Sequence, residues 1–222
     1  MKNKVRGVTR RVMMDLTEFP YGRRQNMNFD IIKDNLEKKG YKVSCFATKE
    51  EAAAYMNEQI DGMSVAIGGC MSAKEMGLSD LLRSHNDVVW HWEGGDRMDA
   101  IATDVYISSV NGIAKTGEIV NIDGTGNRLA STLFGHKKLY YIVGSNKIAD
   151  DLEGAVWRAR NVASPKNAMR FGVDTPCVAS GGKQCFDCGS AERICKALLI
   201  LWERPNGIKD TEVVLVDEEL GY

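Results

Sequence analysis

The stretch Ser64-Val-Ala-Ile-Gly-Gly-Cys-Met-Ser-Ala-Lys-Glu75 decides the fold class. Ser64 to Ile67 reads as a short buried strand, and the Gly68-Gly69 pair ends it. Ser72 followed by Glu75 has the spacing of a capping box, in which side chains at both ends of the first turn satisfy free backbone N–H groups; a helix to about Leu82 is expected. Outward from this unit the pattern recurs. Upstream, Met27, Ile31, Ile32 and Leu36 fall at helical spacing over residues 26–39 and end at Gly40, Tyr41 to Ala47 alternates as a strand, and Thr48 with Glu51 caps a second helix. Downstream, strands are expected at 87–92, 104–110, 118–122 and 139–143, with helices near 127–134 and 147–161. Alternating elements of this kind give an α/β fold with a largely parallel sheet flanked by helices.

After Ala163-Ser-Pro165 the texture changes. Residues 172–196 form a cysteine-rich loop, dense in Gly and Cys and without periodicity, which something other than a hydrophobic core must hold. A β-rich end follows, Ala197 to Trp202 and Glu212 to Val216, separated by the turn Pro205-Asn-Gly207. The division expected is an N-terminal arm, 1–24, and a single α/β domain, 25–222, that includes the cysteine-rich loop.

The 222 residues carry 29 basic and 30 acidic side chains and 44% hydrophobic content. That suffices for a sizeable core, and a formal charge of −1 gives no long-range attraction to nucleic acid or to an anionic membrane. No secretory leader and no run of roughly twenty apolar residues is seen, so a cytoplasmic protein is expected. In a reducing compartment clustered cysteines point to metal or redox chemistry rather than disulfides. Cys45 and Cys70, standing alone near strands, are expected to behave as small core hydrophobes.

Three apolar strands run into glycine and then a helix start, at Gly68-Gly69, at Asp123-Gly-Thr-Gly-Asn-Arg128 and at Val143-Gly-Ser-Asn-Lys147. Glycine permits close backbone approach, and a helix N-terminus offers free N–H donors, so Gly68, Gly69, Ser72, Gly124, Gly126 and Asn127 are candidates to bind a small anion. Arg128 adds a fork suited to carboxylate or phosphate. Good turn chemistry alone accounts equally for such loops. Between two apolar strands, Asn111, Thr116 and Glu118 are candidates to face a pocket, Glu118 as the catalytic carboxylate; Asn-Gly and Thr-Gly are equally hairpin residues.

In their order, Gly68-Gly-Cys-Met-Ser72 with Glu75-Met-Gly77, Asp104 to Ile119, Gly124-Thr-Gly-Asn-Arg128, and Val143-Gly-Ser-Asn-Lys-Ile148 with Asp151-Leu-Glu153 resemble the LUD-domain family of lactate-utilisation proteins, over roughly residues 25–220. The resemblance implies a fold similar to the ribose-phosphate isomerase and CoA-transferase group, a cleft at the strand ends, and a role linked to oxidation of lactate or a similar 2-hydroxy acid.

Cys177-x7-Cys185-x2-Cys188-x6-Cys195 gathers four thiols into one loop. The central pair can place two sulfurs on one metal and the outer pair can complete a four-thiolate set, with Lys183, Arg193 and Lys196 offsetting charge. The spacing matches neither the bacterial ferredoxin run nor the twin Cys-x2-Cys of zinc ribbons; an iron–sulfur cluster is favoured from the lactate context and zinc is the alternative. His85, His91 and His136 are scattered and read as surface or strand-face residues, and Trp157 as core.

The leading expectation is an accessory or redox subunit of 2-hydroxy-acid metabolism, binding a small anionic metabolite and a four-cysteine metal or iron–sulfur centre, with a redox protein as partner. The alternatives are a stand-alone CoA-transferase- or sugar-phosphate-isomerase-like enzyme, and a zinc-stabilised binding module. The sequence leaves the oligomeric state open.

Overall fold

A computed structural model describes residues 28–222. The arm at 1–24 and the start of the first expected helix, including Met27, lie outside the described residues. In chain order the elements are α1 (Asp30–Lys38), β1 (Lys42–Phe46), α2 (Lys49–Gln59), β2 (Ser64–Ile67), α3 (Met71–Glu75), α4 (Leu78–Leu82), β3 (Asp87–Trp90), β4 (Val105–Ser109), β5 (Gly112–Ala114), β6 (Ile119–Asp123), α5 (Asn127–Leu133), β7 (Lys138–Gly144), β8 (Ile148–Ala149), α6 (Leu152–Arg158), α7 (Ser164–Phe171), α8 (Pro176–Ala179), β9 (Ala197–Leu201) and β10 (Asp210–Val216).

Six strands make an all-parallel sheet in the order β1-β10-β7-β4-β2-β3. Its central members β4, β7 and β10 are almost wholly buried, as expected where both faces of a parallel sheet are covered. On one face Ala52, Met56, Leu78 and Leu82 from the helices pack on Val65, Ile67, Ile107 and Ile142. On the other, Ile32 and Leu36 of α1 join Tyr106, Tyr141 and Val213 and reach Ile113 and Ile119 of a second sheet. That second sheet is four-stranded and mixed, ordered β8-β5-β6-β9. A small third cluster, Ala114, Val120, Ala155 and Ala159, seats α6 on it.

Several local expectations hold. Thr48 and Glu51 form the reciprocal capping box of α2, and the expected strands are present as β1, β2, β3, β4, β6 and β7, although β3 ends at Trp90 and a 3-10 turn takes His91 to Glu93. Others are corrected. The helix expected to open at Ser72 is capped instead by Cys70, whose sulfur accepts the Ala73 N–H at 3.4 Å, and it breaks at Gly77 into α3 and α4. Ser72 is freed from capping and fully buried.

The helix expected from residue 147 begins at Leu152, after a 3-10 turn and β8, with Asp151 as its cap. The segment 115–118 is a tight connection between β5 and β6, which pair antiparallel, so the hairpin alternative describes it. The two terminal β runs do not pair with each other. β9 joins β6 in the second sheet, while β10 inserts between β1 and β7. Cys45 and Trp157, expected in the core, are exposed, the latter at 49%.

The second sheet and α6 approach closely at β5. Gly112 permits this, because a Cβ there would overlap the carbonyl oxygen of Ala155. Overpacking of a rigid contact costs about 1–3 kcal/mol. Gly112→Ala is therefore expected to lower stability by about that amount in denaturant unfolding, and a Gly112→Ala protein as stable as the parent would show that the α6 contact is not tight.

Candidate functional site

Parallel strands deliver their C-terminal loops to one edge, and here the loops after β2, β4, β7 and β10 converge. Together with the end of β6, the helix α7 and part of the cysteine-rich loop, they enclose a cleft of about 430 Å3, within the range of small-ligand sites.

At its floor lies Lys147, 3% exposed. Its Nζ donates to Ser109 Oγ at 2.7 Å and to Ser72 Oγ at 3.0 Å. Each hydroxyl has a backbone carbonyl for its own proton, Ser109 at Ile142 O (2.6 Å) and Ser72 at Leu220 O (3.3 Å). Among the described residues no carboxylate lies within ion-pairing distance of the ammonium. Burial therefore brings the amine down to about 7, with Arg158 and Arg128 pushing the same way while Cys70 and Glu75 oppose. The Cys70 thiol, also buried, is pushed up for the same reason.

The cleft is strongly basic. Arg97, Arg128, Lys147, Arg170, Arg193 and Lys196 line it, against Asp123 and Glu192. Among the described residues, Arg128 and Arg193 alone of these cations have a carboxylate partner, at 3.8 Å from Asp123 and 3.3 Å from Asp187. Arg170 lies over the Trp92 ring at 4.6 Å, an arrangement that fixes a guanidinium without neutralising it. His91 also lines the cleft, where burial first and the nearby Arg97 and Arg170 next keep its pKa low.

The expected ligand residues divide. Gly69, Asn111, Gly124, Asn127 and Arg128 line the cleft. Gly68 sits just behind, its carbonyl accepting from Trp90 Nε1 at 2.9 Å and its missing side chain making room for the Tyr106 hydroxyl. Gly126, at φ +91°, turns the chain into α5. Ser72 reaches the site through Lys147. Arg128 is held by Asn121 Oδ1 (2.7 Å), Ile122 O (2.6 Å) and Asn111 Oδ1 (3.2 Å), so much of its fork already serves the protein. The expected helix N-termini are short, five residues in α3 and seven in α5, and charge comes from side chains instead.

Glu118 and Thr116 do not join the cleft. The β5–β6 turn carries them to α1, where Glu118 pairs with Lys39 at 3.0 Å and accepts from the Thr116 hydroxyl. Burial opposes ionisation, yet these two bonds hold the carboxyl below its ordinary range, which suits a structural ion pair. Lys147, Ser109, Arg97 and Arg170 were not singled out from the sequence. Lys147 ends a loop read as anion-binding, and that loop was the available signal; the arginines come from segments without a motif.

The cysteine-rich loop reaches the cleft. It forms one wall, through Ala191 to Lys196; Gly124 allows the approach, since a Cβ there would overlap Ile194 O. All four of its cysteines line a separate cavity of about 20 Å3. The expected convergence of the four sulfurs is not seen: among the described residues no three His, Cys, Asp or Glu side chains form a metal-holding group.

The sulfurs of Cys177, Cys185 and Cys195 have polar neighbours instead. Cys177 meets Thr175 Oγ1 at 3.2 Å, Cys185 accepts the Asp187 N–H at 3.3 Å and contacts Arg160, and Cys195 contacts Arg193. Arg193 also donates to the carbonyls of Cys188 and Cys195, both at 2.8 Å, and so lines both cavities.

The LUD domain model matches residues 30–216. Among solved structures, a DUF162 family protein from Deinococcus radiodurans is 14% identical, with a TM-score of 0.50 over 84% of this chain and 94% of that one. A D-ribose-5-phosphate isomerase in complex with phospho-erythronic acid (18% identity, TM-score 0.34, 47% and 54% covered) and the ribose 5-phosphate isomerase from Plasmodium falciparum (16%, 0.28, 46% and 52%) are more distant. Comparison with curated protein sequences finds no match.

The sign of the Lys147 shift gives a test. An amine near 7 in the fold and 10.5 when unfolded binds fewer protons folded than unfolded between those values, so its cost to stability is full below about 7 and is relieved as pH rises toward 10.5. The stability of the parent relative to Lys147→Met is expected to rise across that window. A pH-independent difference would mean that Lys147 titrates like a surface lysine.

Proposed function

The chain belongs to the LUD-domain family, and from that premise we propose that it binds a small anionic 2-hydroxy or 2-oxo acid in the cleft at the C-terminal strand ends, as a lactate-utilisation-type subunit working with a redox partner. One observation carries the reading: six basic side chains face two acidic ones in the cleft of a chain whose formal charge is −1. Four of them lack a carboxylate partner among the described residues, so their summed field favours an anion. The volume suits a metabolite and leaves little room for a macromolecule.

Thermal melts with lactate, pyruvate, phosphosugars, acyl-CoAs and nucleotides test it, because a ligand stabilises the state it binds. Lactate or pyruvate is expected to raise the melting temperature, and Arg97→Ala and Arg170→Ala to weaken binding by about tenfold or more, since a charged hydrogen bond contributes about 1.5–3 kcal/mol. Selective binding of an acyl-CoA would instead support the CoA-transferase reading. Glu118→Gln is expected to leave metabolite binding unchanged, since its carboxylate is engaged with Lys39.

Our proposal extends to a metal at Cys177, Cys185, Cys188 and Cys195. Supporting it, Asp187 between the central pair takes φ +47° and its N–H points at Cys185 Sγ, the turn that lets two sulfurs of a Cys-x2-Cys face one ion, and all four cysteines border one cavity. As it stands the cavity has room for about one water-sized ion. An iron–sulfur cluster would supply one-electron transfer there, and zinc would brace the loop. Purification without oxygen followed by iron, zinc and visible-spectrum measurement decides. A metal-free protein in which all four thiols titrate freely would end the proposal.

A further inference from the structure

The floor of the cleft contains an amine set up for more than charge attraction. Lys147 Nζ has three positions beyond its carbon. Two hydrogens are directed at Ser109 Oγ and Ser72 Oγ, and those oxygens have carbonyls at hand for their own protons. In the neutral amine the remaining position is a lone pair, on a side chain that borders the cleft. The serines come from the end of β4 and the start of α3, and Lys147 from the turn after β7, so three elements of the rigid sheet edge fix the nitrogen.

The groups acting on Lys147 are Cys70, Glu75, Arg128 and Arg158. The single carboxylate among them, Glu75, is taken up by the Gly221 N–H at 2.7 Å. The cationic neighbours and the burial together disfavour the ammonium, which is how a lysine becomes nucleophilic near neutral pH.

We propose that Lys147 is a covalent residue, its Nζ condensing with the carbonyl of a 2-oxo acid held by its carboxylate among the cleft arginines. This rests on the reading of the cleft as a site for a 2-hydroxy acid and its oxidised form. The lone pair attacks the carbonyl carbon to give a carbinolamine. Both nitrogen protons then leave with the carbonyl oxygen as water, forming a C=N bond; no oxidant or reductant is consumed. Reprotonation gives an iminium whose one N–H can still donate to a serine.

The test uses the full chain, pyruvate as the probe and cyanoborohydride to reduce any imine in place. The expected product is a mass gain of one pyruvate less water plus two hydrogens, mapped to Lys147, with labelling there about tenfold or more faster than at any other lysine at neutral pH. Labelling should fall as pH drops below about 7. Lys147→Arg, which retains the charge, is expected to lose the adduct; should that variant fail to fold, the peptide map of the parent still decides.

Adducts spread over surface lysines overturn the proposal. Absence of an adduct while pyruvate still raises the melting temperature overturns it and leaves the anion cleft standing. Absence of both removes the cleft reading as well.

Discussion

A buried amine held by two hydroxyls, with no carboxylate partner among the described residues, is the constraint around which the site is organised. Lys147 meets Ser72 and Ser109, and through them the carbonyls of Leu220 and Ile142. These five residues come from separate parts of the chain that only the strand order β10-β7-β4-β2 brings together. The parallel sheet is thus a requirement of the site and more than a scaffold beneath it. A slip of one residue in β4 would turn Ser109 away from the amine.

The same constraint explains the short helices at this edge. Cys70 caps α3 so that Ser72, within the first turn, points inward, and Gly77 breaks the continuation. A longer helix capped by Ser72 would have engaged the hydroxyl in its own first turn. The local sequence favoured that arrangement, and tertiary burial of the lysine overrode it.

Much of the fold was legible because apolar runs and glycine breaks are local signals. β2, β4, β6 and β7 and the capping box of α2 follow directly from them. The position of β10 did not, because insertion between β1 and β7 depends on contacts 170 residues back, Glu212 with Lys42, and 72 back, Asp210 with Lys138, and a Pro-Asn-Gly turn says only that the chain bends. In the site, the glycine loops pointed to the correct edge, and Gly69, Asn111, Gly124, Asn127 and Arg128 do line the cleft. Glu118 was drawn in by its chemistry, yet the hairpin carries it to Lys39. Arg97 and Arg170 lie in segments whose only message is convergence in space, which a single sequence does not encode locally.

Arg193 belongs to two cavities at once. It borders the anion cleft while holding the backbone of Cys188 and Cys195. Any occupant of the cleft that draws this guanidinium toward itself changes the free energy of the thiol loop, and by thermodynamic reciprocity whatever the thiols bind changes the affinity of the cleft by the same factor. One side chain, placed in the shared wall, thereby makes the two compartments parts of a single equilibrium.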